Sequence, residues 1–202
     1  MLWFDSDVEC LEKRLKKERR PPNPVVFYGS SSIRLWEHLA EDLGDSRAVN
    51  AGFGGSTLDA CVQYFDRVVR PLSPSSLVVY AGDNDLGDGR TPDDVLQSFR
   101  GMAIQVARLG VIPFGFMSIK LSPVRAGLRE KIERANAMIR EQIKGLPLAY
   151  YIDIYPAMLD QKGQPRAELF LEDGLHLSPS GYAVWTQVLK RYRHQMFITT
   201  SL

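Results

Sequence analysis

Five short runs of strand-forming residues recur along this chain, alternating with stretches whose apolar residues fall three or four apart. The runs lie at 25–28, 47–50, 77–80, 111–117 and 148–154. Strands that alternate with helices are best satisfied by a parallel sheet covered on both faces and wound with right-handed crossovers. The expected fold class is therefore α/β. Residues 25–36, Val-Val-Phe-Tyr-Gly-Ser-Ser-Ser-Ile-Arg-Leu-Trp, compress a buried strand, a glycine turn and a helix start into a dozen positions. Ile33, Trp36, Leu39 and Leu43 predict one helix reaching about residue 43. Ligands of open α/β sheets bind outside the carboxyl ends of the strands. A serine at such a junction can be a helix cap, a phosphate contact or a nucleophile.

The other elements follow in order. Ser6 and Glu9 have the spacing of a capping box for a helix over about 6–20, ended by Pro21 and Pro22. Its basic residues, Lys13, Arg14, Lys16, Lys17, Arg19 and Arg20, are interleaved with Glu9, Glu12 and Glu18, which fits a solvated face. Leu58, Cys61, Phe65 and Val68 mark a second helix, with Cys61 on its core stripe. Thr91 and Pro92 open a third, over Val95, Phe99, Met102 and Val106, and Gly110 stops it. Pro113 predicts an irregular start to the fourth strand. A long helix is expected over about 125–144, a loop over 155–177, and a last helix opened by Ser178 and Pro179. The domain reading is a helix and lead-in at 1–23 and one globular domain at 24–202.

A formal net charge of +1 gives no reason to expect nucleic acid or a charged membrane surface as partner. No apolar run approaches the roughly 20 residues of a membrane span, and no secretory signal is visible, so a cytoplasmic location is expected. Two cysteines make neither a disulfide framework nor a metal site. No cofactor is expected.

The polar and glycine-rich clusters all follow strands, at 29–32, 50–56 and 81–85. They share the carboxyl edge of the sheet. Serine catalysis needs a base within reach and a third group to orient it. His38 lies about 10 Å along the predicted helix from Ser31, and His194 lies in the tail, which leaves His176, three residues after Asp173. That pair could equally be a surface turn. Gly55 could offer an unobstructed N–H to an oxyanion and Asn84 a side-chain amide, or each could serve its own turn. Asp83, Asn84 and Asp85 do not form a calcium loop, because Gly87 and Asp94 stand where the EF-hand pattern needs oxygen ligands and glutamate. Nor is there a GxSxG elbow, since Ile33 replaces its second glycine.

Taken together these residues resemble the SGNH hydrolases, the GDSL-type esterases and lipases, whose four named residues lie in four separate blocks. Residues 29–33 are similar to the first block, 50–55 to the second, 82–85 to the third and 173–176 to the last. The resemblance spans about residues 24–193. It implies a three-layer α/β/α sandwich around a flavodoxin-like five-stranded parallel sheet. It implies a catalytic triad of Ser31, His176 and Asp173, and an oxyanion hole made by Ser31, Gly55 and Asn84. The first block departs from the usual Gly-Asp-Ser, with Ser30 in place of the aspartate. The expected activity is hydrolysis of small carboxylic esters, with a short acyl group such as acetyl, since no lid-like insertion is present. Arg34, Trp36 and Phe53 could line a small pocket, Trp36 being equally a core candidate. Lysophospholipid or thioester cleavage on longer chains, or a non-catalytic anion-binding module, are the competing readings.

Overall fold

The computed structural model describes residues 4–197. Its elements run α1 (Asp5–Lys17), β1 (Val25–Gly29), α2 (Ser31–Arg34), α3 (Leu39–Leu43), β2 (Ala48–Gly52), α4 (Leu58–Gln63), α5 (Phe65–Val68) and β3 (Ser76–Tyr80). They continue with α6 (Asp83–Gly87), α7 (Pro92–Ala107), β4 (Phe114–Met117), α8 (Arg129–Ile143), β5 (Ala149–Ile152), α9 (Pro179–Lys190) and α10 (Arg193–Met196). The five strands form one all-parallel sheet in the order β2-β1-β3-β4-β5, flanked by helices on both faces. This is the three-layer α/β/α arrangement.

Successive strand residues point to opposite faces, and β1 is buried on both, so Val26 and Tyr28 enter one core while Val25 and Phe27 enter the other. The first core is closed by α1, α4, α5, α7 and α8, the second by α2, α3, α9 and α10. α1 contributes Val8, Leu11 and Leu15, and Arg67 fastens it by donating to Asp5 and Glu12. Burial of an aliphatic side chain of this size is worth about 1.5–3 kcal/mol.

Several expected elements are shorter or broken, for reasons that lie outside their own sequence. The helix expected to run to residue 43 stops at Arg34 and restarts at Leu39. The Asn50 side-chain amide donates to the carbonyls of Ile33 (2.6 Å) and Trp36 (3.2 Å), the acceptors a continuous helix would need. The next helix is divided at Tyr64, whose hydroxyl donates to Asp5 on α1. The Ser6 capping box does not form. The helix begins at Asp5 with Phe4 at its N-cap, and the Phe4 ring packs edge-on against Phe53 at 5.7 Å. β4 starts at Phe114, after Pro113, and Val111 stays 83% exposed. Residues 123–128 form a 3-10 turn (Pro123–Leu128) where the start of the long helix was expected. The loop at 155–177 contains two short 3-10 turns, Pro156–Met158 and Ala167–Leu169. The Thr91 cap, the Ser178 cap and the buried Cys61 are found as expected.

Candidate active site

The site is assembled where β1 ends. Gly29 has φ +145°, and a Cβ there would stand 1.9 Å from the Tyr80 carbonyl oxygen. Only glycine lets β1 turn this close to β3. Ser30 then donates its N–H to that carbonyl, and its own carbonyl accepts from Ile33 and Arg34. On the other side Gly52 lets β2 press against α2, since a Cβ there would meet the Arg34 nitrogen at 2.4 Å. The single turn of α2 is thereby fixed between two backbones, with half-buried Ser31 at its start. Ser30, where the usual aspartate would be, is 1% exposed, and its hydroxyl finds no protein partner among the described residues.

Residues 171–177 bring His176 to the serine. Leu171 donates its N–H to the His176 carbonyl, Gly174 turns the chain at φ +61°, and buried Leu177 pins the loop to the second core. Within it Asp173 accepts three bonds: from the Leu175 N–H (2.8 Å), the His176 N–H (2.9 Å) and His176 Nδ1 (2.6 Å). These hydrogen bonds, that of the imidazole first, hold its pKa down to about 2, so it is a carboxylate at any pH used for assay. A carboxylate only accepts. Nδ1 therefore carries a proton, and in the neutral imidazole Nε2 is bare. It lies 3.1 Å from Ser31 Oγ, whose hydroxyl can donate to it. His38, by contrast, sits at the N-cap of α3 and pairs with Glu41.

Gly55 and Asn84 come together through the residue between Gly55 and Thr57. The Asn84 side-chain nitrogen donates to the Ser56 carbonyl at 3.1 Å. Gly55 is exposed at φ +66°, and neither its N–H nor that of Ser31 is taken by a protein acceptor among the described residues. Asp85 braces the same pair of loops: its Oδ2 accepts from the Leu58 N–H at 2.8 Å, and burial pushes its carboxyl up to about 6. Asn84 lies in a short helix, α6, rather than the loop expected from the sequence.

Two residues that sequence reading passed over join these blocks. Lys120 is 1% exposed and donates to Asp83 (2.7 Å), the Tyr80 hydroxyl (3.1 Å) and the Ser32 hydroxyl (3.2 Å). It thus ties the residue after Ser31 to the residue before Asn84. Burial pushes the Asp83 carboxyl up, but Lys120, with Arg125 behind it, more than offsets this and holds it below the ordinary value. Arg125 Nη2 donates to Asn84 Oδ1 at 3.1 Å. The available signal was a lone lysine inside the apolar run Phe-Met-Ser-Ile-Lys-Leu: a charge in a buried run needs a partner. Trp36 and Phe53 are each 1% exposed and belong to the two cores, yet with exposed Arg34 they also edge one pocket, beside Asn50 and Gly52.

Residues 25–184 match the profile of the GDSL-like Lipase/Acylhydrolase family. The chain belongs to that family. It is accordingly a hydrolase acting on esters. Its sequence is 29% identical over 182 residues to platelet-activating factor acetylhydrolase IB subunit alpha1 of Bos taurus, covering 82% of this chain and 72% of the bovine one. Among solved structures, a GDSL-like lipase from Bacteroides thetaiotaomicron superposes with a TM-score of 0.78 at 21% identity, covering 94% of this chain and 98% of that one. An acetyl-xylooligosaccharide esterase from Geobacillus stearmophilus superposes with a TM-score of 0.68 at 14% identity, covering 90% and 97%. These likenesses speak to the fold. No helix among the described residues is long and apolar enough to cross a membrane.

Proposed function

We propose that this acylhydrolase works through an acyl-serine intermediate on Ser31. The observation that carries the reading is the chain Ser31 Oγ, His176 Nε2, His176 Nδ1, Asp173 Oδ2, with 3.1 Å and 2.6 Å between partners. Ser31 Oγ attacks the ester carbonyl as its proton passes to His176 Nε2. Asp173 stabilises the imidazolium. The carbonyl oxygen, now an anion, is held by the N–H groups of Ser31 and Gly55 and by the Asn84 amide. His176 returns the proton to the departing alcohol as the C–O bond breaks. Water then attacks the acyl-serine with His176 again as base, which releases the acid and restores Ser31.

The acyl group we propose is short, with acetyl the first choice, and the substrate a small ester. Support comes from the bovine relative, named an acetylhydrolase, and from the neighbour named an acetyl-xylooligosaccharide esterase. One feature favours a second reading, longer acyl chains. Val124 (61% exposed) and Leu171 (48% exposed) both flank the Gly174 turn. A series of p-nitrophenyl esters from acetate upward, run beside acetylated sugars, separates the two; an optimum at long chains overturns the short-acyl reading. Ser31→Ala should lower kcat by at least ~10⁴-fold, and a fluorophosphonate should label Ser31 in the folded protein. Near-full activity in that variant, or no label, would return the site to an anion-binding role.

A further inference from the structure

We propose that Arg125 is a positioning residue for this reaction: it fixes which end of the Asn84 amide faces the oxyanion. The inference rests on the reading of Asn84 as an oxyanion donor. The nitrogen and oxygen of an asparagine amide are nearly the same size, so shape alone does not choose between two orientations half a turn apart. Only one of them puts N–H groups toward a developing negative charge; the other puts a carbonyl oxygen there.

The partners of Asn84 make the choice. Arg125 is donor-only and sits at Oδ1, 3.1 Å away. The Ser56 carbonyl is acceptor-only and sits at Nδ2, 3.1 Å away. A flipped amide would set donor against donor and acceptor against acceptor at once. With Arg125 in place, one Nδ2 hydrogen is used by Ser56 and the second remains for the substrate oxygen. Without it, only the Ser56 contact resists rotation.

Arg125 is itself held in place. Its guanidinium occupies the space a side chain at Gly87 would fill: a Cβ there would fall 1.2 Å from Nη1. That accounts for a glycine at the end of α6. Its backbone belongs to the segment that leaves β4, and this segment is pinned along its length. The Ile119 N–H and carbonyl pair with the Asn136 side chain at 2.8 and 2.9 Å. Lys120 is buried on Asp83. The Val124 N–H donates to the Gly174 carbonyl at 3.3 Å, in the turn between Asp173 and His176. One segment therefore touches the nucleophile block, the oxyanion block and the acid–base turn, and Arg125 is its contact with the oxyanion donor.

Two variants approach the same contact from opposite sides. Arg125→Met removes the donor. Gly87→Ala leaves the arginine in the chain but displaces its flexible tip, and Gly87 does not have the left-handed backbone that would strain an alanine. With p-nitrophenyl acetate as probe, each should lower kcat about 10–100-fold, part of the ~10²–10³-fold an oxyanion donor carries, with KM within about threefold. Arg125→Lys should recover part of the loss. In an Asn84→Ala background, adding Arg125→Met should change kcat by less than about twofold, because the residue it positions is already gone. If Arg125→Met fails to fold, Gly87→Ala alone and combined with Asn84→Ala provides the same comparison. Unchanged kcat in both single variants, a loss carried by KM, or full additivity with Asn84→Ala overturns the inference. Ser31→Ala and Asn84→Ala run alongside: if either retains full activity, the reading of the site fails and takes this inference with it. If both are impaired while Arg125→Met and Gly87→Ala are normal, only the positioning role fails.

Discussion

Replacing Lys120 with methionine should reverse the sign of one contribution to the pH dependence of stability. The ammonium and the Asp83 carboxylate are 1% and 3% exposed, and Lys120 spends three donors on Asp83, Tyr80 and Ser32. In the unmodified protein the Asp83 pKa lies below its ordinary 3.8. A depressed carboxyl pKa contributes stability above the unfolded value, and that contribution is lost as pH falls toward the folded one. With methionine at 120, burial is opposed chiefly by Arg125, so the carboxyl should rise above 3.8. Its contribution is then present at low pH and lost as pH rises. Removing one member of a buried pair costs about 3–5 kcal/mol, and the remaining Arg125 argues for the lower end, about 3 kcal/mol at pH 8. Near pH 4.5 the deficit should shrink, by up to about 1.4 kcal/mol for each pH unit below the raised pKa. Adding Asp83→Asn should restore most of it, because no buried charge is then left unpaired. Urea unfolding of the three proteins at pH 4.5 and 8 measures all of this, with equal m-values as the check on two-state behaviour. A deficit under about 1 kcal/mol at pH 8, or one that does not change with pH, would show that the pair does not do what its burial implies.

Three further substitutions test buried charge and backbone sterics elsewhere. Asp85 is fully buried with its pKa pushed up to about 6 from 3.8, so it favours the folded state at low pH and loses that advantage as pH rises through 6, by up to about 3 kcal/mol. Asp85→Asn keeps an acceptor for the Leu58 N–H and should flatten the unfolding free energy between pH 4.5 and 8, leaving the variant the more stable protein at pH 8 in urea titrations. Gly29→Ala would set a Cβ 1.9 Å from the Tyr80 carbonyl oxygen, a collision with backbone, whereas Gly44→Ala at φ +63° meets nothing within 4 Å. The first should cost more than about 4 kcal/mol or prevent folding and the second only about 1–2 kcal/mol, as read from soluble yield and thermal melts.

The parts legible in the sequence share one property: their signal is contiguous. Gly29 to Ile33 carries the strand end, the turn and the helix start within five residues, and Asp173 to His176 carries the paired carboxylate and imidazole within four. The alternation of strand and helix periods is equally local, and it gave the layered sheet. What was not legible depends on partners far along the chain. The helix break after Arg34 is imposed by Asn50, which lies 17 residues beyond the Ile33 carbonyl it takes. Arg125 reads as the first residue of a long helix because its partner, Asn84, is 41 residues away. Lys120 lies just past the strand run at 111–117, and sequence reading passes over it because one of its partners, Ser32, is 88 residues away. Periodicity reports which face of an element is buried, and it carries no information about which loop an isolated polar side chain will meet.

That division bears on how the site tolerates change. The sheet supplies strand ends in fixed register, with Gly29 level with Gly52 and Tyr80, but Ser31, Ser32 and Asn84 lie two to four residues beyond those ends. There the apolar cores no longer define position. Ser32 is held by Lys120 through its hydroxyl and by the Tyr182 hydroxyl through its carbonyl, at 3.2 and 3.0 Å. Asn84 is held by Ser56 and Arg125, and Gly174 by Val124. Hydrogen bonds constrain direction as well as distance, and near-attack geometry is sensitive to errors of about 1 Å. A methylene lost from either core should therefore lower stability while leaving turnover per folded molecule nearly intact. Loss of one of these polar contacts should do the reverse, reducing turnover by more than its cost in stability accounts for.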